Sequence, residues 1–321
     1  MRKRGFTLLE LILAVAIIAV LISLVVVAMG RARSTAQRTR TMSSLQGLIR
    51  GYTAYSTDNN GALIPGFMPG QTLQQLRIRA EAPGGIRLDQ DTGVVDGSPW
   101  VWRLMPYIDD NWQSLFEDYG NEAVVQTASL NLASGVYGPA TADPAAGEIG
   151  IASVPAIGMN TFFFGGDFLS DEYDQAAKQA SQVRNASRAI VFAPTREVSE
   201  ELIPIDPGGI GPRFDLVFGS VDLRPPAVFQ DGDGNWSKIQ WQVEGEAAAA
   251  LGSGEWSRGG GVPMARWGGT LIPVAKFDGG TEMLDLQSDL GWAAGTNTPE
   301  NRVKIMRNWS PFAVGRTSVQ Q

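Results

Sequence analysis

Cysteine and histidine are both absent from these 321 residues, and each absence removes a chemistry. Without cysteine there are no disulfides, thiolate metal sites or thiol nucleophiles. An exported domain of this kind must rely on its core or on a bound cation. Without histidine, the commonest general base and the commonest transition-metal ligand are missing. Serine–histidine and cysteine–histidine catalysis are excluded. Carboxylate or lysine chemistry survives, but the carboxylate pairs Asp109-Asp110 and Asp171-Glu172 are sequence neighbours, the pattern of solvated side chains. No complete Ser-x-x-Lys or Gly-x-Ser-x-Gly pattern occurs. The glycines of Pro207-Gly208-Gly209-Ile210-Gly211-Pro212 are bracketed by prolines, so no helix N-terminus follows to hold phosphate. A non-enzymatic protein is the expectation.

Basic runs are short, and the net charge is −7. The head (Arg2, Lys3, Arg4) contributes +3 and Glu10 −1, leaving −9 on residues 11–321. That balance argues against nucleic acid as a partner. It also disfavours strong attraction to anionic lipid beyond the juxtamembrane arginines. Proline is missing from the whole stretch between Phe6 and Ile64, the first being Pro65.

What is present is a long apolar run. Leu11 to Met29 is 19 residues interrupted only by Ser23, which meets the rough threshold of about 18 to 20 for a membrane helix. At about 1.5 Å per residue it spans roughly 28 Å. Glu10 opens this span, and an ionised carboxylate inside an apolar span costs about 2.5 to 3.5 kcal/mol. Such residues are usually functional and paired. An ordinary secretory signal, with an apolar core of about 7 to 15 residues and a small-x-small cleavage site, fits the run poorly. A plain signal anchor is a further alternative. Basic residues on both sides (Arg31, Arg33, Arg38 and Arg40 follow the span) leave the orientation open on charge alone.

The string Gly5-Phe6-Thr7-Leu8-Leu9-Glu10, with its basic leader, resembles the processing site of type IV prepilins and type II secretion pseudopilins. The resemblance implies cleavage after Gly5 by a prepilin peptidase and methylation of the new terminal amine on Phe6. It also implies a contact between Glu10 and the terminal amine of a neighbouring subunit. A positive amine and a carboxylate about 4 Å apart gain roughly 4 kcal/mol at an effective dielectric of about 20, comparable to the cost of holding Glu10 in the membrane. By the same resemblance the partners are other pilin-like subunits in a homo- or hetero-filament, the peptidase, an inner-membrane assembly platform and membrane lipid. The chain would cross the cytoplasmic membrane once, with a short cytoplasmic head and its bulk periplasmic or extracellular. The expected role is a structural subunit of a type II secretion pseudopilus or a type IV pilus-like fibre.

Past Gly30 the pattern turns amphipathic. Met42, Leu45, Leu48, Ile49, Tyr52 and Tyr55 keep one face apolar at a period of about 3.6 residues. One helix is therefore expected from about Phe6 to Thr57, stopped by Asp58-Asn59-Asn60-Gly61. The resulting organisation is a leader (1–5), a membrane or filament-core helix (6–30), an amphipathic continuation (31–60) and a globular domain (61–321). The Tyr52–Pro65 stretch also resembles pseudopilin-type sequences. Ser187-Arg188-Ala189-Ile190-Val191-Phe192-Ala193 and the Trp267-Gly268-Gly269 … Phe277-Asp278-Gly279 context resemble the interior and closing hairpin of large pseudopilin-like proteins. Where those proteins usually carry histidines around the hairpin, this chain has Trp267 and Gly280.

The expected fold is α+β, a long N-terminal helix packed on an antiparallel sheet with large loop insertions. Strands are expected at 157–164 and 187–193, and short helices around 72–80 and from Ser170 or Asp171 to about Val183. A hairpin is expected from Leu271–Phe277 and Thr281–Leu286 around Asp278-Gly279-Gly280. The aromatic patch of Trp100, Trp102 and Trp112 reads first as core, and second as a recognition face of a minor pilin that stacks on sugar rings or another surface. Asp231-Gly232-Asp233-Gly234-Asn235 alternates oxygen ligands as calcium loops do. Trp236 and Gln242 stand where an EF-hand needs glycine and glutamate. A solvated turn between strands ending near Phe229 and starting near Ser237 is the main reading, with Ca²⁺ on Asp231, Asp233 and Asn235 as the other and no further cofactor expected.

Overall fold

A computed structural model describes residues 8–66, 68, 72, 75–82, 86–87, 100–108, 115, 155–166, 176–197, 223, 227–230, 236–240, 261–263, 271–285, 289, 295–296 and 307–312. The chain forms two compact units, Met1–Arg40 and Thr41–Gln321.

Helix α1 (Leu8–Asp58) is 51 residues long and unbroken, as a proline-free stretch permits. Its end is chemical. Asn60 (φ 54°) and Gly61 (φ 83°) adopt left-handed backbone, and the Gly61 N–H donates to Ser56 O at 2.7 Å. That is the six-to-one bond of a Schellman stop, which satisfies a carbonyl the helix would leave open.

Within the larger unit, Leu45, Leu48, Ile49, Tyr52 and Tyr55 are buried while Gln46, Arg50, Thr53 and Ala54 are exposed. This is the apolar stripe read from the sequence. Each buried Leu or Ile contributes about 1.5–3 kcal/mol. The stripe faces an antiparallel sheet in the order β3–β4–β8–β9, formed by β3 (Ile157–Met159), β4 (Ile190–Glu197), β8 (Leu271–Lys276) and β9 (Thr281–Asp285); β7 (Gly261–Pro263) also pairs with β4. Ile190, Val191, Phe192 and Ala193 are completely buried, as befits a central strand of β-branched and aromatic residues covered on both faces. The Phe192 ring meets Tyr52 of α1 edge-on at 5.7 Å and Trp100 at 5.2 Å. Phe277 adds an edge contact to Tyr52 at 6.3 Å and a stacked contact to Phe164 at 5.7 Å.

Smaller pairings complete the described residues. These are β1 (Glu81–Ala82) with β2 (Ile86–Arg87), and β5 (Ala227–Gln230) with β6 (Trp236–Gln240) and β10 (Gly295–Thr296). A short helix, α2 (Val101–Leu104), runs into a single 3₁₀ turn at Met105–Tyr107. Two glycines allow close packing here. A Cβ on Gly165, already at φ 76°, would lie 1.8 Å from Ile64 O; one on Gly51 would lie 2.7 Å from Ile108 Cγ2. The glycine in the helix therefore serves the approach of residues 104–108 and is not merely a weak point.

The hairpin forms as read, with Gly279 at φ 88° and the Gly280 N–H donating to Asp278 Oδ1 at 2.9 Å. Four local expectations shift. The strand expected over 157–164 ends at Met159, because the chain turns there, with Thr161 N–H on Met159 O and Phe164 N–H on Asn160 O. The strand expected from Ser187 begins at Ile190, because Ser187 and Arg188 lie in a turn closed by Arg188 and Ala189 N–H on Asn185 O. No helix reaches Val183: residues 176–180 carry bridges, Phe164 to Ala177 and Ala62 to Gln179, followed by one 3₁₀ turn at Ala180–Gln182. Backbone pairing with the segment after α1 overrides the helical pattern there. The helix near residue 72 ends at Arg77, which takes φ 54°.

Candidate functional site

The first part of α1 is apolar on every side. Its described large apolar side chains between Leu8 and Met29 are 53–75 % exposed. A helix that is hydrophobic all round belongs in lipid or in the core of an assembly. Its backbone groups are satisfied within the helix, as hydrocarbon requires. The hydroxyl of Ser23, the one interruption, donates to Val20 O at 2.7 Å, so it too is satisfied locally. Among the described residues, α1 is the one helix long and apolar enough to cross a membrane.

Glu10 lies exposed in the first turn of α1. A carboxylate there is favoured by the positive end of the helix dipole by about 0.3–1 kcal/mol. The dipole thus offsets part of the cost of keeping Glu10 charged in an apolar run. Gly5 and Phe6, the expected cleavage and methylation positions, lie outside the described residues.

The recognition-face reading of the aromatic patch meets a direct obstacle. Trp100 and Trp102 have no exposed surface. Trp100 packs on Phe192, and Val101, Leu104 and Met105 around them are equally buried. Neither ring can stack on a ligand in solution, so these two residues belong to the core. Trp112 lies outside the described residues, as do Asp231, Asp233 and Asn235. The strands on either side of residues 231–235, β5 and β6, pair antiparallel, with Gln230 opposite Trp236. Among the described residues no cluster of three or more acidic or metal-binding side chains occurs.

Two buried polar residues hold this region and were not anticipated. Arg103, on α2, is completely buried and donates through Nη2 to Pro65 O (2.6 Å) and Gly66 O (3.1 Å). Burial lowers its pKa to about 10, against a smaller opposing effect of Tyr55. The signal in the sequence was a lone arginine inside Trp100-Val101-Trp102-Arg103-Leu104. Asn160, fully buried, donates through Nδ2 to Ile190 O (3.0 Å) and Trp309 O (3.1 Å), and its Oδ1 accepts from Phe163 N–H (3.3 Å). It ties β3 and β4 to the C-terminal segment.

A half-open cavity of about 260 Å³ is lined by Tyr52, Thr53, Ser56, Thr57, Gly61, Ala180 and Phe277. The hydroxyls of Thr53 and Thr57 donate to Ile49 O and Thr53 O at 2.9 Å each. They are engaged with the helix and are not offered to a ligand.

Residues 1–26 match the family model of the prokaryotic N-terminal methylation motif. The match is consistent with a protein of the type IV pilin and pseudopilin family, and it covers those 26 residues alone. No curated protein and no solved structure shows significant similarity to the chain.

Proposed function

We propose that this chain is a prepilin-like structural subunit. It is cut after Gly5 by a prepilin peptidase, methylated on Phe6 and packed through the apolar part of α1 into a pilus-like or pseudopilus fibre. The observation that carries the reading is the methylation motif over residues 1–26, continuous with a helix whose large apolar side chains are uncovered. Subunits of such a fibre would cover one another's Leu8–Met29 faces. Glu10 would then meet the freed amine of Phe6 on the adjacent protomer. At about 4 Å and an effective dielectric near 20, that pair contributes roughly 4 kcal/mol. Before assembly the same apolar face anchors the N-terminus in the membrane, with the acidic remainder outside it. The role is structural, and the burial of Trp100 and Trp102 leaves the glycan-binding alternative without support.

Intact-mass and N-terminal peptide analysis in cells that have the peptidase tests the processing step. The expected product begins at a methylated Phe6, and a mature chain beginning at Met1 would overturn the reading. Glu10→Gln should leave cleavage intact and reduce polymer yield. Fibres formed as readily as by the parent would remove the proposed ion pair from the mechanism.

A further inference from the structure

We infer that the arginines just past the apolar run, Arg31, Arg33, Arg38 and Arg40, form a belt that binds the phosphates of anionic lipid headgroups. This rests only on the membrane-crossing part of the function proposed above, and not on cleavage or polymerisation.

The spacing places the belt. Leu11–Met29 spans about 28 Å at about 1.5 Å per residue, close to the roughly 30 Å hydrocarbon core of a bilayer. With the helix upright and the run centred in that core, positions 31 and 33 fall about 3 and 6 Å beyond Met29 along the axis, and 38 and 40 about 14 and 17 Å beyond. The headgroup layer on each face is about 5–8 Å deep. The first two arginines therefore lie at the level of the phosphates, and the next two stand over that surface.

The charge pattern selects an anion. α1 carries no acidic residue between Glu10 and Asp58, so the four positive charges of the arginines are not offset within that stretch of sequence. Arg33 and Arg40 are exposed and Arg38 is half-buried. The residues among them, such as Ser34, Thr35, Ala36, Gln37 and Thr39, are all neutral. The planar fork of arginine suits bidentate bonding to phosphate.

Helix geometry favours lipid over an opposing protein surface. Arg31 and Arg38 are seven apart and share one side of α1. Arg33 and Arg40 are also seven apart and lie about 140–180° around the axis from the first pair at 3.6 residues per turn. A protein partner covers one side of a helix, whereas headgroups surround it.

Spin-labelled lipids read this directly. The full chain carrying Arg2→Gln, Lys3→Gln and Arg4→Gln, which silences the basic head, is reconstituted in mixed phosphatidylcholine and phosphatidylglycerol bilayers. The fraction of motionally restricted label is then compared for the two lipids by electron paramagnetic resonance. An arginine near an anionic surface is worth about fivefold, so phosphatidylglycerol should be preferred several-fold at low salt. Added salt should weaken the preference. Adding Arg31→Gln and Arg33→Gln should cut it several-fold, while Arg31→Lys with Arg33→Lys should keep most of it. Equal restriction of the two lipids by the head-silenced chain, or a preference unchanged by the two belt glutamines, would overturn the inference. So would glutamines that abolish cross-linking between copies but leave the lipid preference intact, because the acidic surface of a second copy would then be the occupant. A chain that restricts neither lipid does not cross the bilayer, and that result would overturn the membrane-crossing reading as well.

Discussion

The two parts of α1 share one backbone and answer to different solvents. From Leu8 to Met29 the sequence is apolar all round the axis, and the described large apolar side chains are exposed. From Thr41 to Asp58 the apolar side chains keep to one stripe, and that stripe is buried against the sheet. Composition alone does not separate a buried helix from a membrane helix; the arrangement of polar residues around the axis does. Charge divides the same way. Of the chain's 26 basic and 33 acidic residues, seven and one fall within residues 1–40, giving +6 there and −13 in the remainder. The first segment is thus suited to lipid, to phosphate or to copies of itself, and the second to water.

That contrast can be broken hardest at a glycine. Gly165→Ala puts a Cβ against the Ile64 carbonyl at a left-handed backbone position, and denaturant unfolding of the full chain in detergent should show a loss of about 4 kcal/mol or more. Gly30→Ala, with open space around it, should behave oppositely and firm the helix by up to about 1 kcal/mol. A comparable loss at both positions would mean that the surroundings of the two glycines do not differ as described.

Next in size is a leucine. Leu48→Ala removes a fully buried side chain and should cost about 2–5 kcal/mol in the same unfolding measurement. Ile18→Ala, on the uncovered part, should change that transition by less than about 0.5 kcal/mol. A large effect of Ile18→Ala on the globular transition would erase the division between the two parts of the helix.

The smallest effect sharpens the water-facing side. Burial, with a lesser contribution from Tyr55, holds the Tyr52 hydroxyl neutral far above the usual phenol range; burial likewise raises Tyr55. Above about pH 10 the folded chain therefore keeps protons that the unfolded chain releases, and stability falls as pH rises. Arg103, lowered to about 10, acts in the opposite sense between pH 10 and its ordinary value of 12.5, because there the unfolded chain binds more protons. Tyr52→Phe should remove part of the alkaline loss, about 1 kcal/mol at pH 11. At neutral pH it should be neutral or slightly stabilising, since the buried Tyr52 Oη has no hydrogen-bond partner among the described residues. Melts at pH 8 and pH 11 check both statements, and a variant with the parent's alkaline loss would count against the buried-hydroxyl account.

The features legible in the sequence are those set by local chemistry. The apolar run, the stripe from Met42 to Tyr55, the Asn60-Gly61 stop and the Asp278-Gly279-Gly280 turn all depend on residues within a few positions of one another. The features that escaped depend on distant segments. Ser187 and Arg188 leave the strand because Asn185 is anchored by Nδ2 bonds to Arg307 O and Ser310 O. Residues 176–180 abandon a helix because the segment after α1 pairs with them. Arg103 and Asn160 look like surface residues by type, and only the fold shows that they face buried carbonyls. The apolar run was readable from its composition, and Glu10 stands out in it as the carboxylate of the first turn. The tryptophans were ambiguous because an aromatic packs in a core or stacks on a ligand by the same physics.

The end of α1 has a mechanical meaning. Beyond Gly61, the chain is held by Leu63 N–H on Lys178 O (3.0 Å), Ala180 N–H on Gly61 O (2.7 Å) and Gly66 N–H on Gly166 O (2.7 Å), with Arg103 gripping Pro65 and Gly66. Tension drawn along the helix would arrive at this knot, where several bonds share the load, instead of unspooling a loose connector. In the fibre proposed above, a pull on α1 would meet this anchorage before it reached the rest of the domain.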